Sequence, residues 1–321
     1  MGEPAGIGGE IAVSAWRRRA EAPVLPPFFV LDAPERLEAL APDVPIREIA
    51  SADAALSVFD EALPVLRHDL PHAVIPGRPN PANTSAVLTA IERGVDLCRS
   101  GAAAAMVTNP IHKGVLYEGG FRHPGHTEYL AELAGVRRTV MMLVGGGLRT
   151  VPVTVHHSLR EAIASLTSEM IVETCRIVDQ DLRRWFGLAV PRLAAAGLNP
   201  HAGENGALGR EEIDILGPAL ASLRDDGIAI SGPLSADTMF HAEARADYDA
   251  AICMYHDQAL IPVKTLDFHG GVNMTLGLPF LRVSPDHGTA FGLAGTGRAR
   301  PDSLIAALRL AGAAARWRNG S

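Results

Sequence analysis

Short apolar runs, several of them closed by Gly, Pro, Asn or His, alternate along this chain with longer stretches whose apolar residues recur at helical spacing. A strand covered on both faces reads as a continuous apolar run, and the helix that covers it carries a one-sided stripe, so the alternation specifies an α/β architecture. Strands are predicted over 28–31, 102–108, 139–144, 151–155, 192–196, 250–254 and 272–276. The clearest helix starts at Thr167 or Ser168, carries Ile171, Cys175, Val178, Leu182 and Trp185 or Phe186 at helical spacing, and stops at Gly187. Other helices are predicted from Asn83 or Thr84, from His126, over 210–223 and over 302–316, with Glu211 and Glu212 near the positive end of the third. The PGRPNP stretch at 76–81 cannot be regular helix and reads as a rigid loop.

At 321 residues and 47% hydrophobic content the chain can bury one or two cores, and two domains are expected. A formal charge of −7 leaves no basic stripe for nucleic acid, and Arg17, Arg18 and Arg19 read as a solvated helix face. Cys98, Cys175 and Cys253 are widely spaced and read as buried small residues in a reducing compartment. The opening MGEPAGIGGE lacks the charged and apolar regions of a signal peptide, and no run of 18 apolar residues occurs. A soluble, cytoplasmic protein with no membrane partner is expected.

Three distant histidines lie in chemically dense stretches: His156 in TVHHSLRE, His201 in LNPHAGENG and His256 in MYHDQALIPVK. Any one alone is an ordinary polar residue. Each, however, follows an apolar run, and loops at the carboxyl ends of strands are where α/β proteins gather ligands. Imidazoles brought together there can hold a divalent metal with a position open to substrate oxygen. Neighbouring residues on a strand point to opposite faces, so only one of His156 and His157 is expected to ligate, and His156 is the choice. Glu204 can accept a proton from an imidazole, bind an amine, or serve an ordinary capping role. Asp257 is a candidate to fix a histidine tautomer or to ligate directly.

Lys264 sits in apolar sequence, where it either snorkels or meets an oxyanion or a proton in transit. Asn273 and Arg282 follow, and arginine suits bidentate pairing with oxyanions. His126 and Thr127 open a helix whose first turn offers free N–H groups to an anion. Gly6, Gly8 and Gly9, and again Gly145 to Gly147, are dense, yet neither group completes a GxGxxG between strand and helix. The small residues of SPDHGTAFGLAGTG, 284–297, would let a backbone approach a flat phosphorylated ligand.

Taken together, MGEPAGIGGE, HPGHTEYLA, LNPHAGENG, GPLSADTMF, YHDQALIPVK and VNMTLGLPFLRVSPDHGTAF span almost the whole chain, and with them it resembles the 4-hydroxythreonine-4-phosphate dehydrogenases of pyridoxal phosphate biosynthesis. The resemblance implies a homodimer of two-domain α/β/α subunits, like isocitrate and isopropylmalate dehydrogenases, with the active cleft between domains and beside the subunit interface. The domains would be 1–125 with 275–321 on the cofactor side, and 126–274 on the metal, substrate and dimer side. It also implies that His156, His201 and His256 ligate a divalent metal (Zn, Co, Mn or Mg), with the site completed near the partner subunit. His126, Thr127, Lys264, Asn273 and Arg282 match substrate-binding positions, and His287, Gly288, Thr289, Ala290 and Gly295 match the loop that grips the adenosine end of NAD or NADP.

The implied reaction oxidises C3 of 4-phosphohydroxy-L-threonine, and the resulting 3-oxo acid loses CO2; Lys264, or a water relayed through Asp257, is the candidate base. Rival readings are dehydrogenation of phosphothreonate, phosphoerythronate or an aromatic cis-dihydrodiol carboxylate, a metal-dependent phosphoester hydrolase, and a structural metal protein. Two departures from the family stand out. Relatives normally place a β-strand before the glycine turn that here follows Met1, and His157 and His269 stand where relatives often carry other residues.

Overall fold

The computed structural model describes residues 1–318. The chain divides into two compact units, Met1–Arg137 with Leu278–Ala315, and Arg138–Gly277 with residues 316–318.

The first unit begins with a glycine turn and α1 (Gly8–Arg17), followed by β1 (Val30–Asp32), α2 (Pro34–Leu40), β2 (Ile46–Ile49), α3 (Ala55–Val58) and β3 (Leu63–Arg67). These strands form a parallel sheet in the order β1-β3-β2, with Val30 opposite Val65 and Ile46 opposite Leu63. Ile11, Trp16, Leu37, Leu63 and Val65 fill its core, and the Trp16 indole donates to the Phe59 carbonyl at 2.8 Å, so the ring is buried without stranding its N–H. Next come α4 (Thr84–Arg99), β4 (Ala105–Val107), α5 (Lys113–Glu118) and α6 (His126–Ala134). Tyr129 and Leu130 of α6 are buried in one cluster with Val87 and Ile91 of α4. That packing places His126 in the first unit, and the two crossings between the units fall after Arg137 and after Gly277.

The second unit contains β5 (Val140–Gly145), β6 (Leu148–Pro152), α7 (Leu159–Ser165), α8 (Ser168–Phe186), β7 (Leu193–Ala196), α9 (Gly217–Asp225), β8 (Ile230–Leu234), β9 (Ala250–Cys253), α10 (His256–Leu266) and β10 (Val272–Leu276). Its strands run in the order β10-β5-β6-β9-β7-β8. β5 is antiparallel to both neighbours, whereas β6, β9, β7 and β8 are mutually parallel. Gly146 and Gly147, at φ 56° and 77°, close the β5–β6 hairpin, a turn that needs left-handed residues; this accounts for the second glycine run without a nucleotide. Thr167 caps α8 by accepting from the Met170 amide at 3.3 Å, and Gly187 ends it at φ 66°.

The helix expected over 210–223 is present without a gap, but its first part is a π-helical turn, Glu212–Leu216, that runs directly into α9. Pro218 supplies no N–H, so the regular hydrogen-bond ladder cannot pass through it. The chain then returns to the first unit with β11 (Leu281–Pro285), parallel to β4 with Arg282 opposite Met106, and α11 (Asp302–Arg318). Cys98, Cys175 and Cys253 are buried free thiols. Among the described residues no helix is long and apolar enough to cross a membrane.

Candidate active site

In the first unit, β11 carries Arg282 inward beside the end of β4, where Thr108 follows. Only 5% of the residue is exposed, and Nε and Nη2 donate to the Thr108 hydroxyl at 3.1 and 2.7 Å. Burial lowers its pKa to about 10. Nη2 also lies 3.4 Å from Nδ1 of His126, the first residue of α6. A guanidinium only donates, so Nδ1 accepts and the neutral ring carries its proton on Nε2. That Nε2 is buried and has no hydrogen-bond partner among the described residues. Thr127 follows, half-buried, in the first turn of α6, where amides lack intrahelical acceptors. A buried cation, an unused N–H donor and a helix start together suit a small anion.

Burial, then the charge of Arg282, pushes His126 well below its ordinary 6.5. The folded ring therefore stays neutral where the unfolded ring takes a proton. Its contribution to stability is complete above pH 6.5 and is lost as pH falls below that value. We expect His126→Asn to flatten this acid-side loss, read as melting temperature against pH; a wild-type slope in the variant would reject the assignment.

Within the same unit the 284–297 loop packs on the N-terminal glycine turn. Ile7 donates to the Thr289 carbonyl at 3.1 Å, and a Cβ on Gly6 would lie 2.9 Å from that same oxygen, so only glycine permits the approach. Thr289 is buried, Ala290 is left-handed at φ 47°, and Gly295 donates to the Glu10 carboxylate. His287 Nδ1 lies 3.0 Å from the Gly288 carbonyl, while its Nε2 is buried and has no hydrogen-bond partner among the described residues. Gly288 itself is exposed, with open space at its Cβ position. Beside Gly295 a cavity of about 280 Å³ is lined by Glu10, Ser14, Arg17, Pro76 and Gly297.

In the second unit the parallel neighbours β6, β9 and β7 each lead into one of the three histidines. His156 lies between β6 and α7, whose start is fixed by a capping box of Ser158 and Glu161. His256 opens α10 directly after β9. Their ring centroids are 6.3 Å apart. His256 Nδ1 lies 2.7 Å from Asp257 Oδ1, and since a carboxylate only accepts, Nδ1 is the donor and Nε2 is the nitrogen left to meet a cation.

His201 is set differently. It is exposed and opens a run of five residues in left-handed conformation, His201 to Asn205, at φ 53°, 51°, 78°, 44° and 55°. Among the described residues no group of three or more His, Cys, Asp or Glu is gathered to hold a metal. The chain thus brings two of the three expected ligands together, and the third stands on a loop of its own. The donor chemistry of the pair fits a divalent cation, but a complete three-histidine set within one chain is not formed.

Lys264 is half-buried farther along α10, its Nζ 5.8 Å from the Phe268 ring centroid. Asn273 is half-buried on β10 opposite Leu143, Asp257 and His157 are exposed, and His269 packs edge-on to Phe268 at 5.3 Å. Two sets of residues escaped the sequence reading. Thr108 is the partner of Arg282, and its only sequence signal is the TNP that closes a predicted strand. Asn199 is clamped by carboxylates: its amide donates to Glu212 Oε1 at 2.7 Å, and its Nδ2 donates to Glu211 and Glu212 at 2.7 and 2.9 Å.

Two α/β units, one with a buried guanidinium–imidazole pair and the other with two neighbouring imidazoles at the carboxyl ends of parallel strands, have the layout of an α/β enzyme. The family described as pyridoxal phosphate biosynthetic protein PdxA matches residues 26–311. The chain is 53% identical to 4-hydroxythreonine-4-phosphate dehydrogenase of Bradyrhizobium diazoefficiens, over 97% of this chain and 94% of the relative. It is 56% identical to that of Methylorubrum populi, over 97% and 92%. Among solved structures, 4-hydroxythreonine-4-phosphate dehydrogenase from Klebsiella pneumoniae matches with TM-score 0.87 and 38% identity over 98% of both chains. A terephthalate 1,2-cis-dihydrodiol dehydrogenase from Burkholderia xenovorans matches with TM-score 0.66 and 31% identity, over 97% and 95%. The chain belongs to the pyridoxal phosphate biosynthetic protein PdxA family, and it is a dehydrogenase.

Proposed function

We propose that this enzyme oxidises 4-phosphohydroxy-L-threonine at C3 with NAD or NADP, giving 2-amino-3-oxo-4-phosphooxybutanoate, which decarboxylates to 3-amino-2-oxopropyl phosphate in pyridoxal 5'-phosphate biosynthesis. The observation that carries the reading is the buried Arg282 flanked by the unused Nε2–H of His126: a phosphate ester supplies both the charge and the acceptor oxygens they call for. Thr127 adds first-turn donors, and Asn273 and Lys264 serve the rest of the substrate. Lys264, or water relayed through Asp257, takes the hydroxyl proton. The 287–295 loop holds the adenosine end of the cofactor, a role supported by the close backbone approach of Gly6 to Thr289.

His156 and His256 would hold a divalent cation of the Zn, Co, Mn or Mg kind, with His201 completing the set where two copies of the chain meet as a homodimer. The 6.3 Å approach of the His156 and His256 rings supports the pair. Bound together, the cation would acidify the substrate hydroxyl and polarise the ketone, and the nicotinamide would accept hydride. Asp257 orients His256, so Asp257→Asn is expected to weaken cation binding by about 10–100-fold. Titration of the apoprotein with Mn²⁺, followed by electron paramagnetic resonance, measures this, and unchanged affinity would remove Asp257 from the role.

The similarity to a cis-dihydrodiol dehydrogenase favours one alternative substrate class. The test is near-ultraviolet absorbance of the reduced cofactor with purified enzyme, each nicotinamide, and three substrates: 4-phosphohydroxy-L-threonine, phosphothreonate and terephthalate cis-dihydrodiol. Turnover is expected with the first, lost on chelation and restored by added cation. Preference for either of the others, or full activity of an enzyme shown to be metal-free, would overturn the proposal.

A further inference from the structure

The glycine turn of the first unit is held by more than its contact with Thr289. Arg36 of α2 reaches into it, and Nη1 donates to the Pro4 carbonyl at 3.0 Å. Asp32, the last residue of β1, fixes the guanidinium in turn: Nε donates to Oδ1 at 2.8 Å and Nη2 donates to Oδ2, two parallel bonds on one carboxylate. The Asp32 side chain is 1% exposed and that of Arg36 13%. Oδ1 also accepts from the Ala33 amide at 2.9 Å, which sets the orientation of the carboxylate. A buried ion pair adds little net stability over an apolar pair of the same volume. Its consequence here is directional, because a guanidinium held at two nitrogens aims the third at one carbonyl.

The turn passes that constraint on. Gly77, in the rigid PGRPNP stretch, donates to the Ala5 carbonyl at 2.8 Å, and a Cβ on it would lie 2.9 Å from the Phe291 carbonyl. One residue therefore touches both the turn and the 287–295 loop. Pro76 abuts Gly295, where a Cβ would lie 2.9 Å from the proline Cβ. Together with the Ile7–Thr289 and Glu10–Gly295 bonds, these contacts seat the loop along its length on the turn and on the proline-rich stretch. Ala290, left-handed at φ 47°, keeps a backbone that persists only where its surroundings over-determine it.

We propose that Arg36, oriented by Asp32, is a positioning residue for the dinucleotide: it fixes the glycine turn on which the 287–295 loop takes the shape that grips the adenosine end. The inference rests on the cofactor role proposed above for that loop. Neither Arg36 nor Asp32 needs to touch the ligand. Both act through the Pro4 carbonyl, and a displacement of the turn by about 1 Å is enough to cost a bound group its fit.

The test compares Arg36→Lys with the double variant Asp32→Asn/Arg36→Met, which removes both charges, leaves no lone buried carboxylate and keeps an acceptor for the Ala33 amide. The double variant should melt near the wild-type temperature. We expect its cofactor KM to rise by about tenfold to a hundredfold with the substrate KM unchanged, and amide exchange across 287–297 of the apoprotein to quicken. Arg36→Lys should fall between, since an ammonium lacks the fork that serves Asp32 and Pro4 together. Wild-type exchange across 287–297, or a fall in kcat with both KM values unchanged, would overturn the proposal and leave the cofactor role of the loop standing. Quickened exchange with an unchanged cofactor KM would overturn that role, and the proposal with it.

Discussion

Arg282→Ala should lower kcat/KM for the phosphorylated substrate by about thirtyfold to several thousandfold, the range for truncating one partner of a desolvated, hydrogen-bonded charge pair. The size follows from burial. Arg282 is held by Thr108 on one side and faces Nδ1 of His126 on the other, in a position where burial already lowers its pKa to about 10. An anion arriving there meets a guanidinium that has given up its hydration, so little of the attraction is screened. Arg282→Lys should recover only a minor part, because an ammonium cannot donate along two parallel directions to a phosphate and to Thr108 together. Steady-state kinetics at saturating cofactor separate the outcomes. The loss should fall on the substrate and leave the cofactor KM unchanged, whereas equal losses for phosphorylated and unphosphorylated substrates would mean that Arg282 is not the phosphate ligand.

Much of the fold is legible because burial leaves a mark on residue type. All seven predicted strand positions hold strands, and β10 matches the 272–276 prediction residue for residue. The strands that escaped prediction are those whose pattern is broken by function or by charge. IREI of β2 sets Arg47 and Glu48 side by side on an exposed stretch, LPVLR of β3 and ISGPL of β8 contain proline, and LRVSP of β11 places a buried arginine where a strand pattern expects an apolar residue. Arg282 is tolerated there because of Thr108, 174 residues away, and no local reading contains that pairing.

The histidines show the same division. Their position after apolar runs is a local property, so strand-end placement could be read directly. Whether three rings converge depends on loop conformation, and the 201–205 stretch adopts one that its residue types disfavour. Only Gly203 among those five is indifferent to a left-handed backbone. His201, Ala202 and Glu204 each cost about 1–2 kcal/mol in that conformation and Asn205 less, because its short amide tolerates it, and the sequence shows nothing that would offset the sum. What holds the loop lies in the next element, in a pair of glutamates that read in sequence as favourable charges near a helix start.

Glu212→Ala should therefore destabilise the second unit and release the His201 loop together. The Glu212 carboxylate is 5% exposed and accepts from both the backbone and the side-chain amide of Asn199, immediately before the left-handed run. It also packs against Gly203, where a Cβ would lie 2.6 Å from Oε2. Truncation strands two donors at about 1–3 kcal/mol each and opens a cavity, for a total of roughly 3–5 kcal/mol. With the clamp gone, the strain of the four non-glycine residues favours unwinding toward ordinary backbone, and His201 loses its fixed position. Glu212→Gln keeps the volume but turns an N–H₂ toward donors, so its effect should be intermediate. Ala202→Gly makes the opposite test, since removing a strained Cβ at φ 51° should stabilise by about 1 kcal/mol. Thermal unfolding of the apoprotein reports the stability of all three variants. Exchange of the 200–208 amides reports the loop separately, and should accelerate in Glu212→Ala well before global unfolding; exchange at the wild-type rate would show that the left-handed run is held by something other than Glu212.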